Sequence, residues 1–204
     1  MTVRLHRGDL PDLLRFGREV AIDTETMGLD PHRDRLCVVQ LSSGDGSSDV
    51  VQIPADTNEA PNLKALLTDP GVTKIFHYAR FDIAVLKNRF GVVTGPVYCT
   101  KIASKLARTY TDRHGLKDLV RELLNIDLSK QQQSSDWGQE KLSEAQLEYA
   151  AADVLYLHDL KRHLDRMLVR EARMELAQSC FGFLPTRIAL DLAGWDEMDV
   201  FAHS

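Results

Sequence analysis

Apolar positions fall in short β-branched runs over the first fifty residues of this chain and then settle into helical spacing. Val20, Ala21 and Ile22 open a buried strand, and "RLCVVQLSS" and "DVVQIPA" are two further runs joined across Ser42 to Ser48 by the Gly-rich "SSGDGSS", a hairpin pattern. Three strands in succession predict an antiparallel meander. From Asn62 the pattern alternates: a helix over Asn62 to Thr68 stopped by "DPG", a strand "TKIFHY", a helix from about Phe81 to Arg89 ended at Gly91, a short strand "GPVYCT" and a helix "KIASKLAR". In "HGLKDLVRELLN", Leu116, Leu119, Val120 and Leu123 recur on one helix face. The polar connector "DLSKQQQSSDWGQEK" follows, and Ser143 with Gln146 makes a capping box that opens one long helix, "EAQLEYAAADVLYLHDLKRHLDRMLVR". The remainder is predicted to be helical at first and interrupted near Pro185, before an apolar tail. The class is therefore α/β: a meander, then alternating strands and helices.

Composition narrows this to one unit. With 204 residues, 44% of them hydrophobic, the chain buries a sizeable core and reads as a single domain over residues 1–204. No apolar run approaches a membrane span, and "MTVRLHRGDL" places charges where a signal peptide needs its apolar region, so a soluble cytoplasmic protein is expected. Cys37, Cys99 and Cys180 form no CxxC pair and read as buried thiols. The formal charge of −5 lacks the basic footprint of a protein that grips long nucleic acid, although a metal-filled acidic site attracts phosphate locally.

The acids carry the chemistry. Asp23 and Glu25 follow the strand of Val20 to Ile22 at a spacing of two, which points both carboxylates to one face while Thr24 points away. Asp82 starts the helix after "TKIFHY", near the end of a neighbouring strand. Asp153 lies four residues after Tyr149 on one helix face, amid Ala152, Val154 and Leu155, with Ala150 to Ala152 leaving room for close packing on a sheet. Four acids on three convergent elements, without matching buried cations, describe a divalent-metal site. Oxygen ligands without Cys, and without H-E-x-x-H, point to Mg²⁺ or Mn²⁺, and four carboxylates suffice for two ions.

D-x-E after an apolar strand, "HYARFD" and "YAAAD", in this order, resemble the three motifs of the DEDD superfamily of 3′-to-5′ exonucleases, in the subclass with tyrosine in the third motif. "HGLKDLVRELL", "SSDW" and "LSEAQLEYAAADVLYL" are similar to the ribonuclease D group, and the resemblance covers roughly Arg18 to Leu160. It implies a ribonuclease H-like fold, a mixed sheet flanked by helices. The length and the tail "LDLAGWDEMDVFAHS" resemble the short stand-alone nanoRNase C members, which lack the accessory nucleic-acid-binding domains of ribonuclease D proper and form ring-like homo-oligomers.

The resemblance also implies roles. Asp23 bridges two ions, Glu25 and Asp153 complete the shell of one, and Asp82 holds the other mainly through water. Tyr149 points its phenol at the attacking water, and a phenol of ordinary pKa about 10 orients water better than it takes a proton. Leu29 matches an apolar wedge between the last two bases, His77 and Phe81 match positions lining the terminal nucleotide, and Thr24 joins them among the substrate contacts. The expected activity is metal-dependent removal of 5′-nucleotides from short single-stranded RNA. Two rivals stand beside it: a 3′-to-5′ DNA exonuclease, and an inactive exonuclease fold serving as an RNA-binding or assembly module. Lys101, Lys105 and Arg108 share a helix face that could hold phosphate or simply be solvated. Trp137 reads as a packed anchor, and His158, Asp159 and His163 as an exposed face. The apolar tail with Trp195, Val200 and Phe201 suggests self-association.

Overall fold

The computed structural model describes residues 2–13, 16–129 and 131–203, so Lys130 of the connector and the final Ser204 lie outside it. The strands are β1 (Thr2–Arg7), β2 (Glu19–Thr26), β3 (Leu36–Ser42), β4 (Ser47–Gln52), β5 (Thr73–Phe76) and β6 (Val97–Cys99). Among the described residues they form one sheet in the order β1-β4-β3-β2-β5-β6. β2, β3 and β4 pair antiparallel as the predicted meander, and β5 and β6 extend the sheet in parallel beyond β2. Gly44 and Gly46 turn the β3–β4 hairpin at positive φ, where a side chain would be strained. Central β3 is buried along its whole length, which is why "LCVVQLS" is almost continuously apolar.

The pattern does not predict β1, whose charges mask its alternation. It pairs in parallel with β4, and Arg4 and His6 close on the buried Asp49 at 3.0 and 2.7 Å.

The helices are α1 (Pro61–Thr68), α2 (Ala79–Phe90), α3 (Thr100–Ala107), α4 (Leu116–Leu124), α5 (Glu144–Leu155), α6 (Leu157–Arg170) and α7 (Met174–Leu190). The capping box opens α5 as expected: Ser143 Oγ accepts from the Gln146 N–H, and Gln146 Oε1 accepts from the Ser143 N–H. The single long helix is not observed. The chain leaves helical geometry at Tyr156 (φ −101°, ψ −4°), with neither Gly nor Pro to mark the break. Two partners set it: α5 lays Ala150, Ala151 and Val154 on the sheet, while α6 buries Leu157, Leu160, Leu164 and Leu168 against α3 and α4.

Pro185 does not interrupt its helix either. α7 continues through it, because the burial of Phe181, Leu184 and Ile188, at about 1.5–3 kcal/mol for each large side chain, outweighs a proline cost of about 3 kcal/mol. The break falls instead at Asp191–Trp195, a π-helical turn with Gly194 at φ +91°. No described helix is long and apolar enough to cross a membrane.

Candidate active site

β2 runs from the core into a cleft of about 660 Å³, and its last residues line that cleft. Val20, Ala21 and Ile22 anchor the strand in the core, so Asp23 and Glu25 emerge at its end on the α5 side. The small residues Ala150 and Ala151 let α5 approach the sheet closely and bring Asp153 over that end. Carboxylate oxygens of Asp23, Glu25 and Asp153 lie within 4.8 Å of one another. Among the described residues no Lys or Arg pairs with them.

Asp82 arrives from the opposite face. It sits in the first turn of α2, buried, and Thr24 Oγ1 donates to its Oδ1 at 2.8 Å. The alternation that points Asp23 and Glu25 toward α5 thus points Thr24 toward α2, where its hydroxyl fixes the fourth acid. The four carboxylates therefore divide into a close trio and one acid held aside.

Burial without counter-charge makes all four reluctant to ionise. Desolvation, reinforced by Asp82, Asp153 and Glu25, holds the Asp23 carboxyl well above its ordinary range. Desolvation and the charges of Asp153 and Asp82 push Glu25 up to about 9. Desolvation alone raises Asp153 to about 7, and it raises Asp82 to about 7 against the opposing Thr24 hydrogen bond. The Tyr149 phenol leans on Asp153, and burial together with the nearby carboxylates drives its pKa far up, so it stays protonated. Buried, mutually repelling, hard oxygen donors fit one or more divalent cations.

One support escapes the sequence reading. Gln40 on β3 sits directly opposite Asp23, 0% exposed, and its Nε2 donates to Asp23 Oδ2 at 2.7 Å. A polar residue inside a seven-residue buried run is the one signal that could have found it. Trp137 is buried as the predicted anchor, its ring 6.0 Å from that of Tyr149, and Gln146 ties the connector down by donating to Ser135 Oγ and the Asp136 carbonyl.

The other predicted contacts line the same cleft. Leu29, Phe81, His77 and Thr24 all border it, with Leu29 84% exposed. Lys101 lies there too, whereas Lys105 faces a neighbouring groove. The shared basic face does not hold for Arg108. Its guanidinium is 0% exposed and bonded to Glu122, Ser104 and the Arg113 carbonyl, because the chain folds back after α3 and covers it. Nor is His158 exposed: it is buried against the Gly44 turn, although Asp159 reaches solvent. Of the thiols, Cys37 and Cys99 are buried and Cys180 is only partly so. Trp195, Val200 and Phe201 remain exposed.

Comparison with known proteins agrees with this geometry. Residues 9–169 match the model of the 3′-5′ exonuclease family. Ribonuclease D of Acidiphilium cryptum is 38% identical over 158 residues, 76% of this chain and 39% of that protein. The chain thus spans about two fifths of the length of the curated relatives it matches. Among solved structures, Brucella melitensis NrnC with bound Mg²⁺ is 61% identical with a TM-score of 0.96, and the same protein bound to pGG is 62% identical with a TM-score of 0.97. Both cover 100% of each chain.

Proposed function

The chain belongs to the 3′-5′ exonuclease family, among its ribonuclease D-like members, and on that premise we propose that it is a metal-dependent 3′-5′ exoribonuclease that releases 5′-nucleotides from short single-stranded RNA. The observation that carries the proposal is the trio of carboxylates within 4.8 Å, with a fourth acid held beside it and no cation to balance them. The full-length likeness to a protein solved with Mg²⁺ and with pGG supports both the ions and a short substrate.

Asp23, Glu25 and Asp153 would hold one Mg²⁺ or Mn²⁺, and Asp82 with Asp23 a second. When bound, such a pair lowers the pKa of an attacking water and steadies the departing 3′-oxygen. The chain's own groups do the positioning. Gln40 fixes Asp23, Thr24 fixes Asp82, and Trp137 backs Tyr149. Tyr149, kept protonated by its surroundings, orients the water by hydrogen bonding rather than taking its proton. Leu29, exposed at the mouth, wedges between the last two bases while Phe81 and His77 line the terminal nucleotide.

Residues 1–204 form one exonuclease domain in this reading, working in the cytoplasm. The exposed Trp195, Met198, Val200 and Phe201 form the apolar surface through which copies associate into a ring in this reading, and a monomer's mass by light scattering would exclude that. The function is tested on a labelled diribonucleotide and on longer RNA and DNA of matched sequence, with Mg²⁺, Mn²⁺ or excess chelator. Cleavage of the dinucleotide at least as fast as the long strands, abolished by chelator, is expected. Undiminished cleavage in chelator overturns the metal site, and a strong preference for long DNA overturns the substrate.

A further inference from the structure

His77 joins β5 to α2, and the geometry around it dictates which of its ring nitrogens carries the proton. Its Nδ1 lies 2.9 Å from Thr100 Oγ1, and that hydroxyl lies 3.1 Å from the Phe76 carbonyl oxygen. Thr100 is fully buried, so these are the partners its hydroxyl has. A carbonyl only accepts, so the one hydroxyl proton goes to Phe76, and the Thr100 oxygen must then accept from His77 Nδ1–H. A neutral imidazole protonated at Nδ1 leaves a lone pair on Nε2. The doubly protonated ring is disfavoured independently: burial and the nearby Lys101 ammonium push His77 down to about 3.

The ring lines the cleft, and Nε2 has no hydrogen-bond partner among the described residues. The backbone invests in this placement. Tyr78, the next residue, sits at φ 70°, a left-handed conformation that costs a non-glycine residue on the order of 1 kcal/mol, and Lys101 covers its ring at 4.2 Å. The sharp turn lets α2 start at Ala79 while His77 stays at the cleft wall.

We propose that His77 is a specificity residue whose Nε2 accepts a hydrogen bond from a sugar hydroxyl of the terminal nucleotide. The inference rests on the exonuclease reading above. Phosphodiester oxygens only accept hydrogen bonds, so this nitrogen is unsuited to phosphate and requires a donor. The donors at the end of an RNA strand are the 2′- and 3′-hydroxyls and base N–H groups, and only the hydroxyls are common to every nucleotide that such an enzyme meets in turn.

Wild type and His77→Phe are compared on oligoribonucleotides whose terminal residue is ribo, 2′-deoxy or 3′-deoxy. Phenylalanine removes the acceptor while Thr100 keeps its bond to Phe76. The variant is expected to lose roughly tenfold in kcat/KM on the ribo substrate and to match wild type on the one substrate that lacks the hydroxyl it reads. The arm that is insensitive to the substitution identifies that hydroxyl as 2′ or 3′. Equal losses on all three substrates overturn the proposal, as does a loss seen only with particular terminal bases. Nitrogen-15 NMR of His77 in the wild-type protein is the second measurement: a proton on Nδ1 alone near neutral pH is expected, and a proton on Nε2 overturns the assignment whether or not the variant folds. Failure of wild type to cut any of these substrates in Mg²⁺ would instead sink the exonuclease reading and leave the tautomer result standing.

Discussion

Two places in the same sheet bury carboxylates, and they do opposite things with them. On β4, Asp49 is 1% exposed and saturated: Arg4 reaches it with two donors at 3.0 and 3.1 Å, and His6 closes at 2.7 Å. Two strands away, Asp23 gathers with Glu25 and Asp153, and among the described residues the trio is met by neutral donors, Gln40 on Asp23 and the Tyr149 phenol on Asp153, with no Lys or Arg paired to it. A buried acid that is paired is structure, because its desolvation is offset inside the fold. A buried acid with other acids for neighbours is waiting for charge from outside. The lesson is that the missing cation, not the burial, distinguishes a site from a scaffold.

The comparison breaks most sharply with one substitution in each place. Asp153→Asn is expected to abolish detectable turnover while raising the melting temperature of the metal-free protein, since it removes one of the repelling charges. Asp49→Asn is expected to do the reverse, costing about 2–3 kcal/mol of stability in urea unfolding with turnover per folded molecule unchanged. If Asp153→Asn destabilised the metal-free protein as Asp49→Asn does, the two regions would not differ in kind.

Tyr149→Phe comes next. It removes the hydroxyl beside Asp153 and keeps the ring packed on Trp137, so turnover should fall by about 10² while Mn²⁺ affinity and KM stay near wild type. A kcat within twofold of wild type would remove the tyrosine from the chemistry. Gln40→Leu is smaller: without the donor to Asp23, Mn²⁺ titration should show affinity weakened by about 10- to 100-fold. Unchanged affinity would mean that Asp23 holds its place alone.

The contrast between Asp49 and Asp23 was half legible in the sequence. Period two in β2 and the i, i+4 spacing of Tyr149 and Asp153 are local, so both survive into the structure unchanged. Gln40 is different, because its partnership with Asp23 depends on the register of two strands that only pairing fixes. Arg4 and Asp49 are likewise joined by a parallel pairing at the sheet edge across 45 positions. The break at Tyr156, the burial of Arg108 and the passage of α7 through Pro185 share one cause. Each is decided by what packs against the segment, while intrinsic preference argues for the opposite outcome.

The smallest effect is the dependence of stability on pH, and it tests the waiting charge directly. In the folded, metal-free protein Glu25 titrates at about 9 and Asp82 and Asp153 at about 7, against about 4 in the unfolded chain. Between these values the folded state holds protons that the unfolded state has released, so the contribution of these groups is fully present below about pH 4 and is lost as pH rises through 7 to 9. Groups whose pKa the fold lowers have the opposite slope, His77 and Lys74 among them. His77, at about 3, adds stability as pH rises toward 6.5, and Lys74, lowered to about 8 by burial, adds it above 8. Both are outside the acid cluster, so they cancel when melting curves with and without Mg²⁺ are subtracted. The stabilisation by Mg²⁺ should therefore grow steadily from pH 6 to 9, because the ions replace protons that the acids otherwise retain. In Asp153→Asn the rise should flatten, and in Asp49→Asn it should persist at full slope. A Mg²⁺ effect that is constant with pH would show that the trio is already ionised without the metal, and the distinction between the two buried acids would fall with it.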